Sequence, residues 1–231
     1  MTDADTNTPS LQEQTLEIGA RPSSLRTYRA TRWMIRNVMW RFFNVTIEGE
    51  ENLAIDGPMI IAPVHRSNLD VLLVNAISER RVRSLAKQSM FTTSVGRWLF
   101  SALGAFPVER GTADREALRV STMLLDRGEP LMIFPEGTRQ SGPDVGEVFD
   151  GAAYLSGKTG APVVPVGFVG TEEALPSGAK MVRRSRVRIV IGKPIEPERG
   201  ETGRVSRSQR EAFSAKLRGE LQRLMNRAAD L

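Results

Sequence analysis

The sequence predicts a single-domain α/β protein in which helices flank a mostly parallel central sheet. From residue 45 onward, short runs rich in Val, Ile and Leu alternate with longer helical runs, as expected for strands joined by crossover helices. The length of 231 residues suits one domain of ordinary size. A composition with 40% hydrophobic and 26% charged residues is sufficient for a substantial core.

Two N-terminal segments precede the predicted sheet. Residues 1–22 are largely polar and predict a disordered tail. Residues 23–43 predict an amphipathic helix with Ser24 as its N-cap, in which Trp33 and Trp40 stand seven positions apart beside a stripe of arginines. Because indole and guanidinium groups tolerate the lipid headgroup layer, this helix predicts contact with a membrane interface. The alternative is an amphipathic helix that packs only on its own domain.

The remaining residues, 44–231, are predicted to form the folded domain. Strands are predicted at residues 45–48, 59–64, 83–87, 105–108, 131–134, 163–168 and 186–191. Helices are predicted at residues 68–79, 95–103, 113–126, 148–158 and 206–229.

Charge and composition limit the possible functions. A net charge of +5 and a pI near 10.1 indicate nucleic acid, an anionic membrane surface or a phosphate-bearing ligand as partner, although a basic solvated surface explains them equally well. Residues 1–19 lack the layout of a signal peptide, and no run approaches the ~20 apolar residues that span a bilayer. We therefore expect a cytosolic protein, or a peripheral or monotopic one on the cytoplasmic side of a membrane.

Several kinds of catalytic and metal site are excluded. The chain has no cysteine and one histidine, so disulfides, thiolate metal sites, a cysteine nucleophile and multi-histidine metal sites cannot form. No Gly-x-Ser-x-Gly motif occurs, and a serine acyl-enzyme is therefore not expected.

The single histidine stands where the second predicted strand ends and a helix begins. In α/β proteins, ligand chemistry concentrates at the carboxyl ends of the strands, and His65 has that position. A histidine in this turn can meet Asp70 in the first helical turn. A carboxylate on one ring nitrogen leaves the other nitrogen free to take a proton from an alcohol. The competing interpretation is that Ser67 and Asp70 form a capping box that only satisfies backbone N–H groups.

Two arginines also follow predicted strands. Arg110 ends a short strand, and Arg139 lies in the loop after another. If these parallel strands are neighbours, the two guanidinium groups converge on one rim and suit a phosphate monoester. Gly137 would let backbone N–H groups approach that anion, and Glu136 would orient an arginine or a ligand hydroxyl. Taken singly, each arginine is better explained as a solvated loop charge, and their shared placement is what favours a site.

Four motifs occur in order along the chain. They are His65 with Asp70 five positions later, Gly-Ala-Phe-Pro-Val-Glu-Arg at 104–110, Phe-Pro-Glu-Gly-Thr-Arg at 134–139, and Ala-Pro-Val-Val-Pro-Val at 161–166. Over residues 25–195 the sequence resembles the glycerolipid acyltransferases typified by 1-acylglycerol-3-phosphate (lysophosphatidate) acyltransferase.

The resemblance implies a function and a set of site residues. It implies an acyltransferase domain that moves a fatty acyl group from acyl-CoA or acyl-carrier protein to a hydroxyl of a lysophosphatidate-type acceptor, giving phosphatidate in phospholipid biosynthesis. The N-terminal helix would lie on the bilayer, and no metal or prosthetic group is implied. The implied roles are general base for His65, its partner for Asp70, acceptor-phosphate binding for Arg110, Glu136, Gly137, Thr138 and Arg139, and a pocket wall for Pro165.

Other readings of the sequence remain open. The acceptor could instead be glycerol 3-phosphate, another lysophospholipid or a glycolipid, because the sequence departs from many family members before His65 and after Arg139. A basic nucleic-acid-binding module using residues 183–227 is the alternative from another class. It leaves the four motifs unexplained, so we expect no nucleic-acid partner.

Overall fold

The computed structural model of the chain describes residues 9–109, 114–197 and 205–231, and these contain a seven-stranded sheet with helices packed on it. The strands are β1 (Thr46–Glu48), β2 (Ile60–Pro63), β3 (Arg83–Lys87), β4 (Ala105–Val108), β5 (Leu131–Met132), β6 (Val163–Val169) and β7 (Arg188–Ile191). Their order is β1-β7-β6-β2-β5-β3-β4. The five strands β6, β2, β5, β3 and β4 run parallel to one another, β7 is antiparallel to β6, and β1 is parallel to β7. The prediction of a mostly parallel sheet flanked by helices is confirmed.

The helices follow the strands in the predicted alternation. Within the described residues the α-helices are α1 (Leu11–Ala20), α2 (Pro22–Met34), α3 (Trp40–Phe42), α4 (Leu69–Ile77), α5 (Ser94–Ala102), α6 (Arg115–Asp126), α7 (Gly151–Thr159), α8 (Thr171–Ala174) and α9 (Arg207–Ala229). A π-helical turn, Ile35–Met39, joins α2 to α3. No helix in these ranges combines the length and the apolar character needed to cross a bilayer.

The position of β2 in the interior of the sheet explains why its sequence is continuously apolar. It lies between β5 and β6, and all four of its residues are buried. A strand covered on both faces needs no polar alternation. Its chain direction places its carboxyl end, and therefore His65, at the edge of the sheet where parallel strands present ligand-binding residues.

The longest helix of the described residues, α9, packs against strands β6 and β7. Ser206 and Gln209 form a capping box at its start, in which each side chain accepts a hydrogen bond from the other residue's backbone N–H. Its buried residues recur every three or four positions and face β6 and β7: Phe213, Leu217, Leu221, Leu224, Met225 and Ala228. This spacing gives one apolar stripe on an otherwise charged helix.

The prediction of a disordered tail over residues 1–22 is wrong for the segment that forms α1. Ser10 caps this helix in a capping box with Glu13, and Thr15 and Gly19 are buried against neighbouring elements that include α5. A Cβ built on Gly19 would lie 2.7 Å from the carbonyl oxygen of Ser101, so the two backbones meet at van der Waals distance. Because the fully buried positions of α1 are Thr15 and Gly19, with Leu16 only partly buried on the core, the helix has little hydrophobic pattern and the sequence did not reveal it.

The predicted helix over residues 23–43 is present but begins differently. Pro22 occupies its first turn and Arg21 is the N-cap, without a side-chain hydrogen bond. The Ser24 hydroxyl instead donates to the carbonyl of Ile18, 2.6 Å away, and ties α2 to α1. The N-cap assignment to Ser24 is therefore wrong.

Candidate active site

His65 and Asp70 meet in the turn between β2 and α4. The imidazole Nδ1 of His65 lies 3.1 Å from Oδ2 of Asp70, and the two residues are 5% and 0% exposed. The ring also stacks on Phe134, with centroids 3.8 Å apart and an interplanar angle of 22°. The carboxylate and the aromatic face together restrict the imidazole to one orientation. Assigning the proton to Nδ1 lets it donate to Asp70 and leaves Nε2 as a proton acceptor.

The same carboxylate also serves the backbone. Oδ2 of Asp70 accepts hydrogen bonds from the N–H groups of Arg66 and Ser67, each at 2.7 Å. The capping interpretation and the base-partner interpretation therefore both describe this side chain. Because the carboxylate is anchored by two backbone donors, it cannot turn away from the imidazole without losing them.

A buried ion pair lies directly behind the histidine. Nη1 of Arg66 is 3.0 Å from both carboxylate oxygens of Glu136, and the two side chains are 3% and 0% exposed. Oε2 of Glu136 accepts from the backbone N–H of His65 at 2.9 Å, and Oε1 accepts from that of Gly146 at 3.0 Å. Arg66 further donates to the carbonyls of His65 and Asp144, at 3.1 and 3.0 Å.

This geometry changes the role predicted for Glu136. Its oxygens are occupied by donors from inside the protein and it is 1% exposed, so it has no free lone pair directed at a bound phosphate. The part of the prediction in which Glu136 orients an arginine is correct, and the arginine is Arg66. Sequence reasoning overlooked Arg66 because a charged residue beside a histidine in a turn gives no sign that it is buried.

The rest of the loop after β5 lies at the same edge of the sheet as His65. Gly137 adopts a left-handed conformation with φ +68°, which a side chain would strain. Gly137, Thr138 and Arg139 are exposed, and Arg139 makes no ion pair within the part of the chain described. The backbone N–H of Gln140 donates to the carbonyl of His65 at 2.8 Å, so this loop is fastened to the histidine. The structure thus brings Arg139's loop to the His65 turn, because β2 and β5, the strands that precede them, are parallel neighbours as the prediction required.

Two predicted site residues remain, Arg110 and Pro165. Arg110 lies outside the described residues. Pro165 is buried within β6, opposite Ala62 of β2, and its ring packs near Gly192. It lines none of the described cavities, so the structure offers no support for the pocket wall predicted at this position.

An apolar cavity of about 460 Å³ opens beside His65. It lies between α2, α4, α5 and β3, and its lining includes Phe134, Val71, Leu72, Leu85 and Phe100. Asn68, the N-cap of α4, and Val71, Leu72 and Asn75 within α4 line the cavity along one helix face that extends over roughly 10 Å. Tyr28 and Arg32 from α2 form part of the wall, and burial raises the pKa of the Tyr28 hydroxyl. This cavity could not be predicted from the sequence, because its walls come from several separate helices, strands and loops.

The fold and the site define an α/β domain with a carboxylate-oriented histidine at the mouth of an apolar cavity. This chain belongs to the acyltransferase family, whose model matches residues 44–169. A chloroplastic 1-acyl-sn-glycerol-3-phosphate acyltransferase of Brassica napus is 30% identical over 161 residues, which is 68% of this chain and 46% of that protein. The chain therefore spans about half the length of this relative.

Two further comparisons cover more of the chain. A lyso-ornithine lipid O-acyltransferase of Pseudomonas aeruginosa is 27% identical over 221 residues, covering 87% of this chain and 83% of that protein. The crystal structure of the 1-acyl-sn-glycerophosphate (LPA) acyltransferase of Thermotoga maritima superposes with a TM-score of 0.73 at 23% identity, covering 89% of this chain and 80% of the other. At this identity the likeness shows the fold.

Proposed function

We propose that this protein transfers a fatty acyl group from an acyl thioester, either acyl-CoA or acyl-carrier protein, to a hydroxyl of a lysophosphatidate-type acceptor, giving phosphatidate. The observation that carries the proposal is the placement of the His65–Asp70 pair at the wall of the apolar cavity. A base beside an apolar cavity suits a substrate whose reactive carbonyl is attached to a long hydrocarbon chain. Each methylene buried there stabilises the complex by about 0.8 kcal/mol.

The chemistry assigned to His65 is general base catalysis. Nε2 takes the proton of the acceptor hydroxyl while its oxygen forms a bond to the thioester carbonyl carbon. The C–S bond then breaks, and the protonated imidazole returns its proton to the departing thiolate. Asp70 stabilises the imidazolium that forms between these steps. The turn N–H groups of Arg66 and Ser67 already donate to Asp70, so donors for the oxyanion must come from elsewhere. No metal or prosthetic group is needed for these reaction steps.

Arg139 is our candidate for the acceptor phosphate, with Arg110 as its proposed partner. Its exposure and its lack of an ion pair among the described residues leave its guanidinium available for a two-pronged contact with a phosphate. The glycine before it in the loop, Gly137, allows a close approach of the ligand. Thr138 adds an exposed hydroxyl beside them.

We also propose that the N-terminal helices attach the protein to the cytoplasmic side of a membrane as a peripheral or monotopic protein. Trp33, Val38 and Phe42 are exposed by 65%, 54% and 42%, an unusual exposure for large apolar side chains on one helical segment. The same segment contributes Ile35 to the cavity wall, so an acyl chain that leaves the bilayer would enter the cavity beside this segment.

A second acceptor class has an observation in its favour. The relative from Pseudomonas aeruginosa, named for a lyso-ornithine lipid, aligns over nearly the whole chain. We therefore retain a lysolipid without a phosphate monoester as the alternative acceptor.

Product analysis by mass spectrometry tests both acceptors and both donors. Purified protein is incubated with acyl-CoA or acyl-carrier protein and with lysophosphatidate, glycerol 3-phosphate, a lysophospholipid or lyso-ornithine lipid in turn. We expect phosphatidate from lysophosphatidate, and its loss in His65→Ala with an unchanged circular dichroism spectrum. Preferential acylation of lyso-ornithine lipid would select the alternative. Equal product formation by His65→Ala would refute the mechanism, and nucleic-acid binding without any acyl transfer would refute the function.

A further inference from the structure

A second concave surface lies on the outer side of α2, and four arginines line it. It has a volume of about 720 Å³ and is bounded by Arg29, Arg32 and Arg36 of the helical segment and by Arg81 beyond the end of α4. We call this surface the arginine groove. Its other charged lining residue is Glu79, which makes no ion pair within the described chain. Arg32 belongs to both the groove and the apolar cavity, so the two are neighbours separated by α2.

Most of the positive charge in the groove is not neutralised by contact with a carboxylate. Arg81 donates to the carbonyls of Gly19, Ser101 and Ala102, at 2.8, 2.8 and 3.0 Å. Arg32 donates to a carbonyl as well, that of Ser78 at 2.8 Å.

The remaining two arginines differ from each other. Arg36 contacts Glu50 at 2.5 Å, and it is the groove arginine with an acidic partner in the described part of the chain. Arg29 makes neither an ion pair nor a side-chain hydrogen bond to any described residue. Burial and the neighbouring Arg83 lower the pKa of Arg81 to about 10, as expected for a cation without a compensating anion.

Two of the four guanidinium groups are also held in place by aromatic rings. That of Arg81 lies over the ring of Tyr28, 5.5 Å from its centroid, and that of Arg36 lies over Trp40 at 5.4 Å. Stacked and hydrogen-bonded arginines lose little freedom when an anion binds, and their planar donors match phosphate oxygens. The chemistry of the groove therefore selects a phosphate group.

The surroundings of the groove indicate where that phosphate comes from. Trp33 lines the groove and is 65% exposed, and Leu25 beside it is 36% exposed. Tryptophan and arginine together are the residues that occupy the headgroup layer of a bilayer. The groove lies beyond the carboxyl end of α4 whereas His65 precedes its amino end, and nine helical residues separate them by about 13 Å. A phosphate in the groove is thus too far from His65 to belong to the reacting acceptor.

We propose that the arginine groove is a second, non-reacting site that binds the phosphate headgroup of an anionic membrane phospholipid. The site rests on the proposed attachment of the N-terminal helices to a membrane, and it adds lipid selectivity to that attachment. It would hold α2, and with it one wall of the apolar cavity, against an anionic leaflet.

Vesicle flotation tests the site without depending on catalysis. Full-length protein is mixed with phosphatidylcholine vesicles with or without phosphatidylglycerol. Arg29→Gln is the test variant, because it removes a groove charge that has no partner within the described chain. Arg207→Gln is the matched control, since it removes the same charge from α9, where its side chain is 86% exposed.

We expect Arg29→Gln to lower binding to the anionic vesicles about fivefold, the effect of one arginine near a charged leaflet, and to leave binding to neutral vesicles unchanged. Arg29→Gln together with Arg36→Gln should lower it further, and Arg207→Gln should bind like the wild type. An equal loss in the control would mean nonspecific charge attraction and would overturn the site, as would wild-type binding by both groove variants.

Two additional arms separate the possible sources of failure. Free CoA should not displace the protein from anionic vesicles; displacement would assign the groove to the donor's phosphates and overturn the proposal. His65→Ala should bind both kinds of vesicle like the wild type, so a failure of the proposed acyl transfer leaves the result for the groove readable.

Discussion

Replacement of Glu136 by glutamine tests the buried ion pair behind the histidine. Three donors make four contacts with this carboxylate: Nη1 of Arg66 contacts both of its oxygens, and the backbone N–H groups of His65 and Gly146 contact one oxygen each. A glutamine keeps the size but places an NH₂ group against a donor at one of its two positions. It also leaves the guanidinium of Arg66 buried without a counter-charge, at 3% exposure of its side chain.

The expected cost follows from that burial. Removing one partner of a buried ion pair destabilises a protein by about 3–5 kcal/mol, a large fraction of the roughly 5–15 kcal/mol that stabilises a typical domain. With a urea m-value of about 2 kcal/mol/M, Glu136→Gln should lower the unfolding midpoint by roughly 2 M. Glu211→Gln is the control, because its pair with Arg207 lies on the surface, and we expect no measurable change in its midpoint.

The same variant should slow catalysis by displacing the backbone of His65. We expect a lower kcat in conditions where the variant is folded, with a smaller change in KM for the acyl donor, because the cavity walls stay intact. Urea unfolding followed by circular dichroism and steady-state thiol release are the two measurements. A midpoint within error of the Glu211→Gln control would show that the pair contributes no net stability and would refute this reasoning.

Four further substitutions have defined outcomes. Asp70→Asn should lower kcat on the order of 10²- to 10⁴-fold, since a neutral amide does not stabilise an imidazolium; an unchanged rate with lost thermal stability would leave capping as its role. Arg139→Ala should raise the KM for lysophosphatidate, with a loss of about 1.5–3 kcal/mol in transition-state binding, and leave the KM for acyl-CoA unchanged; the reverse pattern would move Arg139 to the donor site. Leu72→Trp should shift activity toward shorter acyl chains by filling the cavity, as measured with a series of acyl-CoA lengths, and an unaltered chain preference would place the acyl chain elsewhere. Trp33→Ala should weaken flotation with neutral and anionic vesicles alike, and an effect on anionic vesicles alone would contradict its insertion into the interface.

The sheet was predictable because its signal is local and repeated. The strand at Ile60–Pro63 is apolar along its whole length, and the helix at Arg207–Ala229 carries a regular buried stripe, so each could be recognised within its own window. The helix at Leu11–Ala20 was missed because its fully buried residues are Thr15 and Gly19, which a hydrophobic pattern does not detect.

In the candidate site, contacts between residues close in sequence could be predicted, whereas contacts between distant residues could not. His65 and Asp70 are five positions apart, and the turn between them made their meeting foreseeable. The pairing of Arg66 with Glu136 joins residues 70 positions apart and depends on which strands are neighbours in the sheet. For the same reason Glu136 was assigned to the acceptor, since its place in a loop motif does not show that the chain folds over it.

The loop after β5 grips both backbone polar groups of His65. The side chain of Glu136 accepts from the N–H of His65, and the N–H of Gln140 donates to its carbonyl. Only three residues, Gly137, Thr138 and Arg139, separate these two attachment points. The length of this segment is therefore fixed by its two attachment points. An insertion of a single residue would break one of the two hydrogen bonds to His65 even if every side chain were kept. If Arg139 has its proposed role, substitutions within this segment would change which acceptor is recognised, whereas the length of the segment sets the position of His65.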